Sequence, residues 1–385
     1  MQFASATSSL SEGPDAIRDV IDQVNSQIEA DSVDLAFVFV SHHDLALWDD
    51  LGNRLRAAFP GAVTLGCTAE GCIGDGRELE GQSSVSLMVA AMPGVQVDPF
   101  HLSQEGMEEA EWTQDLPDHQ MNPVFVTLGE PFSIDMRRVV DAFEAGYAGR
   151  PILGGMASAG QRPGENRLLL DGVVYEDGLA GLALHGALEV TPVVSQGCRP
   201  IGSPYVVTQG EANVIRRLRN RPAMDVLQEM AGGLSSEDQA LLQHGVFIGR
   251  AIDEYKRSFD RGDFLIQAII DADKESGALA IAGEAKTGTT VQFHVRDAAS
   301  ADEDLRAMLG PFGHKRYAGA LLFSCNGRGT RMWDAPGHDV GVLQQEVGAL
   351  PVAGCFCAGE IGPIGGRNFM HGYTAVLGLF RSPDP

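Results

Sequence analysis

Apolar and polar residues follow two different periods along the chain, which predict strands and helices in turn. Continuous apolar runs at 33–41, 83–92 and 123–132 are typical of buried strands. At 14–28 and 134–147, apolar residues recur every three or four positions, which is the spacing of one helix face. Because helices follow strands and further strands follow the helices, the pattern predicts α/β layers with mixed sheets.

One glycine-rich pattern occurs three times and sets the expected architecture. It reads TLGCTAEGCIGDGRELEG from residue 64, LGGMASAGQRPGENRLLLDG from residue 153 and AGCFCAGEIGPIGGRNFMHG from residue 353. Each copy follows a strand, a helix and a second strand, and each runs into another apolar strand. A recurring sequence unit indicates a recurring structural unit. We therefore predict three β-α-β-β repeats: repeat 1 over 33–92, repeat 2 over 122–188 and repeat 3 over 317–381.

The stretch from 190 to 300 lacks the repeated pattern and indicates a second domain. Within it, AIIDADKESGALAI places a polar loop between two apolar runs, which predicts a hairpin. The composition changes at TPVVSQGCRP, near residue 191. We predict an N-terminal domain over 1–192 and a C-terminal domain over 193–385, built from repeated modules with mixed sheets around a ligand pocket.

Charge and cysteine content restrict the partners and the compartment. The formal net charge is −24, from 52 acidic and 28 basic residues, so nucleic acid and anionic membrane surfaces are not expected partners. No apolar run approaches the ~18 residues of a membrane helix, and the first residues lack the basic and apolar regions of a secretory signal. The six cysteines form no CxxC pair, which favours reduced thiols in the cytoplasm and argues against a metal site.

The glycine-rich segments are the first candidates for a ligand site. Each leaves the end of a buried strand, where ligands collect and where glycine allows close approach to free backbone N–H groups. Taken singly, Cys67 and Cys355 are more typical of small core residues, but the two loops together favour a ligand site. The residues expected to contact a ligand are Cys67, Thr68, Glu70, Gly154, Gly155, Cys355, Cys357 and Glu360.

A second candidate is FSCNGRG at 323–329, directly after an apolar strand. Asn326 offers both donors and acceptors, and Arg328 offers a planar fork for a carboxylate or phosphate. We expect Cys325, Asn326 and Arg328 on the wall of the same cavity, together with His371 before the last strand.

Enzymatic activity is not expected from the motifs. A cysteine-dependent enzyme would need Cys325 or Cys355 beside a base such as His371. No GxSxG, HExxH or P-loop sequence occurs. We therefore predict a protein that binds its ligand without turnover, and we keep a cysteine-dependent enzyme as the third alternative.

The ordered motifs resemble the FIST family of bacterial sensory proteins, with a FIST N-terminal and a FIST C-terminal domain. The matching segments extend from about residue 34 to residue 380. They are DLAFVFVS, GCTAEGCIGDGRELE, ILGGMASAG, VVSQGCRPIG, RPAMDVL, GDFLI, VQFHVRDA, LLFSCNGRG and GCFCAGEIGPIGG.

The resemblance implies a small-ligand-binding sensory protein that acts in signal transduction through a separate partner, such as a histidine kinase. Amino acids are among the small organic ligands that it implies. Haem is the alternative, because some members of the family bind haem and sense nitric oxide. A haem would need an axial ligand, for which His294 and His371 are the candidates and His244 is a further available histidine. No metal site other than haem is expected.

Overall fold

A computed structural model describes residues 1–30, 32–108, 112–114, 116–256, 258–259 and 262–383. The chain forms two compact units: unit 1 contains Met1–Val194 and Leu305–Pro385, and unit 2 contains Ser195–Asp304. Unit 1 contains residues from both sides of the predicted domain boundary between 192 and 193. That boundary stays a prediction. Within the described ranges, no helix has both the length and the apolarity needed to cross a membrane.

The three repeats share one order of elements, which confirms the predicted α/β class and the repeated module. In each, a strand and a helix lead to a parallel second strand, then a hairpin, then a strand antiparallel to the first. Repeat 1 comprises β2 Leu35–Ser41, α2 Trp48–Ala58, β3 Val63–Ala69, β4 Gly71–Gly74, β5 Arg77–Glu80 and β6 Ser84–Ala91. Repeat 2 comprises β8 Val124–Gly129, α3 Met136–Gly146, β9 Ile152–Met156, β10 Leu168–Leu170, β11 Val173–Tyr175 and β12 Leu179–Gly186. Repeat 3 comprises β21 Gly319–Cys325, α7 His338–Glu346, β22 Val352–Cys357, β23 Glu360–Ile364, β24 Arg367–His371 and β25 Thr374–Arg381.

One further strand precedes each repeat and pairs with that repeat's last strand. These strands are β1 Gln2–Ser8, β7 Val95–Leu102 and β13 Glu189–Gln196, and α1 Gly13–Asn25 follows β1.

The glycine-rich segments are hairpins that cross to another repeat, not the loops that the sequence predicted. The hairpin β4–β5 of repeat 1 pairs with β22 of repeat 3. The hairpin β10–β11 of repeat 2 pairs with β3 of repeat 1, and the hairpin β23–β24 of repeat 3 pairs with β9 of repeat 2. Each six-stranded sheet is therefore completed by a neighbouring repeat, in a closed cycle.

A glycine occupies the same position of the second strand in every repeat. At Gly66, Gly154 and Gly354, an added Cβ would lie 2.2, 1.8 and 1.8 Å from a carbonyl oxygen of the neighbouring parallel strand. Real side chains do not tolerate such distances, so only glycine allows these strands to pair in this register. The apolar residues opposite them, Ile73, Leu169 and Ile361, belong to the incoming hairpins.

The three sheets of unit 1 enclose one apolar core and carry three outer layers. The inner core contains side chains from all three repeats, such as Phe39, Leu153 and Phe323, which are fully buried. Each sheet also packs helical residues on its outer face: α1 and α2 on the first sheet, α3 on the second, and α7 on the third, where Leu305 and Leu309 at the end of α6 (Ala298–Leu309) join the same core.

Unit 2 contains a seven-stranded sheet whose neighbours pair in the order β14-β20-β17-β18-β19-β15-β16. The predicted hairpin at AIIDADKESGALAI is present, because β18 pairs antiparallel with β19. The elements are β14 Cys198–Glu211, β15 Val214–Leu218, β16 Arg221–Pro222, α4 Ala223–Gly232, α5 Ser236–Leu241, β17 Val246–Ala251, β18 Phe264–Asp273, β19 Ala278–Ile281 and β20 Thr290–Arg296.

We predict that Gly354→Ala destabilises the protein by more than about 2 kcal/mol, the scale of overpacking in a buried site. The added methyl would collide with the carbonyl oxygen of Leu322. Gly341→Ala is the matched control, because Gly341 lies in α7 with no atom within 4 Å of the added Cβ, and alanine favours the helix there by about 0.5–1 kcal/mol. Urea denaturation of both variants measures the difference, and equal midpoints would contradict the close-approach argument.

Candidate functional site

The carboxyl ends of the second strands of the three repeats meet at one place in unit 1. The residue four positions after the equivalent glycine is Glu70 in repeat 1, Ser158 in repeat 2 and Ala358 in repeat 3. The backbone N–H of Ser158 donates to the carbonyl of Thr68, and that of Ala358 donates to the carbonyl of Met156, at 3.2 and 3.1 Å.

The side chain of Ser158 adds two more contacts from repeat 2, one to repeat 1 and one to repeat 3. The hydroxyl of Ser158 donates to the carbonyl of Phe356 at 2.5 Å and accepts the N–H of Glu70 at 2.8 Å. Strand ends from all three repeats are thereby joined, and the first residues of the exchanged hairpins are held beside them.

A cleft of about 220 Å³ opens next to these strand ends. Its volume lies below the usual range of drug-sized sites, ~300–1,000 Å³, so it suits a small ligand. Its walls come from repeats 1 and 3. The lining residues are His42, Glu70, Gly71, Glu80, Gly81, Asn326, Thr330, Arg331 and Phe356.

Charged groups of both signs face the cleft. The guanidinium of Arg331 forms a two-pronged ion pair with the carboxylate of Glu70, one contact being 3.1 Å, and it also donates to the carbonyl of Asn326 at 2.5 Å. The side chain of Arg331 is 54% exposed and that of Glu70 is 33% exposed, so water competes with this pair. A ligand can therefore replace either partner at low cost.

A second carboxylate, Glu80, holds the loop that carries Arg331. It accepts the N–H of Thr330 at 3.0 Å and the hydroxyl of Thr330 at 2.9 Å. The neighbouring Gly329 has φ +57°, and a Cβ there would lie 2.5 Å from the Glu80 carboxylate. Glycine is thus required both for the left-handed backbone and for the approach of the carboxylate.

Arg328, which the sequence placed on the cavity wall, lies beneath this loop instead. Its side chain is fully buried and forms two hydrogen bonds of 2.7 Å with the carboxylate of Asp339. Although burial disfavours the charge of Asp339, the Arg328 guanidinium holds the pKa of that carboxyl well below its usual range. The ring of Trp333 lies 4.9 Å from the guanidinium. Arg328 therefore supports the loop, and Arg331 supplies the charge that faces the cleft.

Glu78 and Glu80 occupy alternate positions of β5 and have different environments. Glu78 is buried and accepts the N–H groups of Val340 and Gly337 at the start of α7, at 2.9 and 3.2 Å. Burial, and then the nearby carboxylate of Asp339, raise the pKa of Glu78 to about 7.

Glu360 is a carboxylate in a core position. It is the first residue of β23 and pairs with Gly155. At the equivalent position, the hairpin of repeat 1 has Cys72 and the hairpin of repeat 2 has Leu168. Its carboxylate accepts the hydroxyl and the N–H of Thr374 at 2.7 and 3.2 Å. Burial raises the pKa of Glu360 to about 8, so the group is mostly protonated at neutral pH. Glu360 does not line the cleft.

The predicted cysteines lie in the interior and do not line the cleft. Cys67, Cys355 and Cys357 are fully buried in the inner core, and the sulfurs of Cys355 and Cys357 are 3.6 Å apart. Cys325, at the end of β21, is also buried. Burial raises the pKa of the Cys355 and Cys357 thiols, and burial followed by the Glu360 carboxylate raises that of Cys325.

The histidines proposed as axial ligands are held by backbone groups within strands. Nε2 of His371 lies 2.9 Å from the carbonyl of Gly362, and Nδ1 of His294 lies 3.0 Å from that of Gln292. Burial lowers the pKa of both rings to about 4. His294 also packs against Phe264 and Gly249 in unit 2. The side chain of His244 lies outside the described part of the structure.

The structure brings two predicted ligand residues, Glu70 and Asn326, to one cleft. The others lie elsewhere: Thr68 is buried with its hydroxyl 3.2 Å from Asn166 Oδ1, and Gly154 and Gly155 lie inside β9. Gly71 and Phe356 also line the cleft and lie within the two loops, 67–71 and 355–360, that the sequence placed at one cavity. The residues that sequence reasoning missed are His42, Glu80, Gly81, Thr330 and Arg331. Arg331 stands only three residues after Arg328, and nothing in their spacing distinguishes the buried arginine from the exposed one.

We predict that the stability of the protein falls as pH rises because of Glu360. An unfolded glutamate has a pKa near ~4.3. Between that value and the folded pKa of about 8, only the folded state keeps the proton, so its stabilising effect is complete at low pH and is lost as pH rises through about 8. Glu360→Gln keeps a neutral side chain at every pH.

Relative to wild type, Glu360→Gln should gain on the order of 3 kcal/mol in unfolding free energy between pH 5 and pH 8, since one pKa unit is worth ~1.4 kcal/mol. Urea denaturation of both proteins at both pH values measures it. Glu275→Gln, at an exposed position, is the control and should show no such gain. If the difference in unfolding free energy between Glu360→Gln and wild type is the same at both pH values, the raised pKa assigned to Glu360 is wrong.

Comparison with known proteins identifies the family. The FIST N domain model matches residues 34–221, and the FIST C domain model matches residues 223–363. An uncharacterized protein of Mycobacterium tuberculosis is 38% identical over 352 residues, which is 88% of each chain. An uncharacterized protein of Mycobacterium bovis is 37% identical over 377 residues, covering 95% of this chain and 96% of its own.

Among solved structures, cyanuric acid hydrolase from A. caulinodans aligns over 100% of this chain and 99% of its own, with 8% identity and a TM-score of 0.36. A score this low carries no argument about function. The two domain models and the full-length relatives agree with the predicted resemblance, and the chain belongs to the FIST family.

Proposed function

We propose that this protein is a sensor that binds a small polar ligand in the cleft of unit 1. FIST domains are generally taken as small-ligand sensors. The observation that supports this cleft as the site is the exposed Glu70–Arg331 ion pair at the meeting point of the strand ends. Ligands of α/β proteins collect at such strand ends.

The charges in the cleft favour a ligand that carries both an ammonium and a carboxylate, such as an amino acid. The ligand carboxylate would pair with Arg331, and the ligand ammonium would pair with Glu70 or Glu80. Breaking the Glu70–Arg331 pair costs little, because an exposed pair is worth about 0–1 kcal/mol. Its two partners would then each be paired with the ligand.

Signalling would follow from movement of the loop that carries Thr330 and Arg331. This loop is anchored by Glu80 on one side and by the buried Arg328–Asp339 pair below. A ligand that draws Arg331 away from Glu70 would favour one position of the loop over another, and such differential affinity is what a sensor requires. We propose that a separate signalling protein in the cytoplasm, such as a histidine kinase, reads this change.

The proposal is one of binding without turnover. The raised thiol pKa values of Cys325 and Cys355 support it, because a nucleophilic cysteine needs a lowered pKa. The two alternatives are a haem-binding nitric oxide sensor and a cysteine-dependent enzyme, and no contact in the described structure favours either.

We predict that Arg331→Ala weakens amino acid binding at least about tenfold, the effect of one charge-assisted hydrogen-bond pair worth ~1.5–3 kcal/mol. Thermal-shift screening of the twenty protein amino acids identifies the probe, and calorimetry then compares wild type with the variant. Arg162→Ala is the control, because Arg162 is 82% exposed and lies outside the cleft. The cleft assignment fails if both variants bind the probe as wild type does.

We also predict that Cys325 and Cys355 react slowly with iodoacetamide. Their buried thiols should show apparent pKa values above the free value of ~8.5, so thiolate is scarce at neutral pH. Labelling of the folded protein from pH 6 to pH 10, read by mass spectrometry of peptides, measures this. Fast labelling of either cysteine with an apparent pKa below 8.5 would instead support the alternative of a cysteine-dependent enzyme.

A further inference from the structure

A basic groove lies at the opposite end of repeat 3 from the cleft. It has a volume of about 590 Å³, within the range of small-molecule sites. The groove is bordered by the segment before β21 and by the end of β25, whereas the cleft lies beyond the other end of β21. The lining residues are His314, Lys315, Arg316, Tyr317, Ala318, Arg381 and Ser382.

Positive charge is concentrated in this groove although the chain as a whole is strongly acidic. Acidic residues outnumber basic ones by 52 to 28, and many exposed arginines are paired with a carboxylate. Neither Lys315 nor Arg316 forms an ion pair with any described residue, and Arg381 pairs with Glu189. Two adjacent cations without a counter-charge among the described residues give the groove a positive potential that attracts anions.

The repeated architecture does not require these charges. The residues at the same distance before the first strand are Ala-Asp-Ser (30–32) in repeat 1 and His-Gln-Met (119–121) in repeat 2, where repeat 3 has His-Lys-Arg (314–316). The three sheets form alike in all repeats. The shared architecture therefore does not require the two cations, although the ammonium of Lys315 lies 6.0 Å from the ring centre of Phe312.

The polar groups of the groove match the chemistry of a phosphate ester. Lysine supplies a mobile point charge and arginine a planar fork, both of which bind phosphate oxygens. The hydroxyl of Tyr317 lies 3.2 Å from that of Thr191, and Ser382 adds a second hydroxyl to the lining of the groove. The cations and hydroxyls come from two separate segments of the chain, 314–318 and 381–382, and a compact anion in the groove can contact both segments.

We propose that this groove binds a phosphate-bearing small molecule of nucleotide size, at a site separate from the cleft. Lys315 and Arg316 supply the main attraction for the phosphate groups, and Tyr317 and Ser382 supply hydrogen bonds. The proposal does not depend on the ligand of the cleft.

Calorimetry of the full chain with ATP, pyrophosphate, adenosine and a hexaglutamate peptide tests the proposal. We expect ATP and pyrophosphate to bind, with affinity that falls as salt is raised, and adenosine and the peptide to bind at least tenfold more weakly. Binding of pyrophosphate as tight as that of ATP would identify the phosphate groups alone as the ligand chemistry.

The double variant Lys315→Gln/Arg316→Gln should weaken ATP binding at least tenfold. The matched control Lys274→Gln/Arg162→Gln removes the same charge at exposed positions outside the groove and should leave binding unchanged. Circular dichroism verifies that both variants fold. Equal losses in the two variants, no binding of either phosphate probe at millimolar concentration, or tighter binding of hexaglutamate would each overturn the proposal.

Discussion

The exchange of hairpins between repeats is the interaction on which unit 1 depends. No repeat completes its own sheet, because β4, β10 and β23 each pair with the second strand of another repeat. The exchange also satisfies edge strands that would otherwise expose unpaired backbone groups. The parallel pairing inside each repeat requires glycine at 66, 154 and 354, where the first and second strands approach too closely for any side chain.

The cleft exists because this cycle brings unlike strand ends together. Positions that are equivalent in the architecture carry different residues: glutamate, serine and alanine at 70, 158 and 358, and cysteine, leucine and glutamate at 72, 168 and 360. The three repeats thus provide three equivalent positions, and differences in residue type give one of these positions its charge. Function resides in such local differences and not in the fold that carries them.

Two buried carboxyl groups of repeat 3 differ in protonation because their surroundings differ. Asp339 is ionised because Arg328 contacts both of its oxygens, whereas Glu360 accepts hydrogen bonds from Thr374 and Cys325 and is mostly protonated at neutral pH. Burial opposes ionisation in both, and the presence of a cation decides the outcome. The ionised pair supports the loop that carries Arg331, while the protonated acid occupies a position that is apolar in the other repeats.

The sequence by itself determined the local elements, the threefold module and the family, because these depend on residue periodicity and on ordered motifs. It also placed Glu70 and Asn326 near strand ends, where the cleft lies. The tertiary structure decided which repeat receives each hairpin, because that pairing joins segments up to about 280 residues apart. It also decided that Arg328 is buried and Arg331 exposed, since only the position of Asp339 on α7 distinguishes two arginines that stand three residues apart.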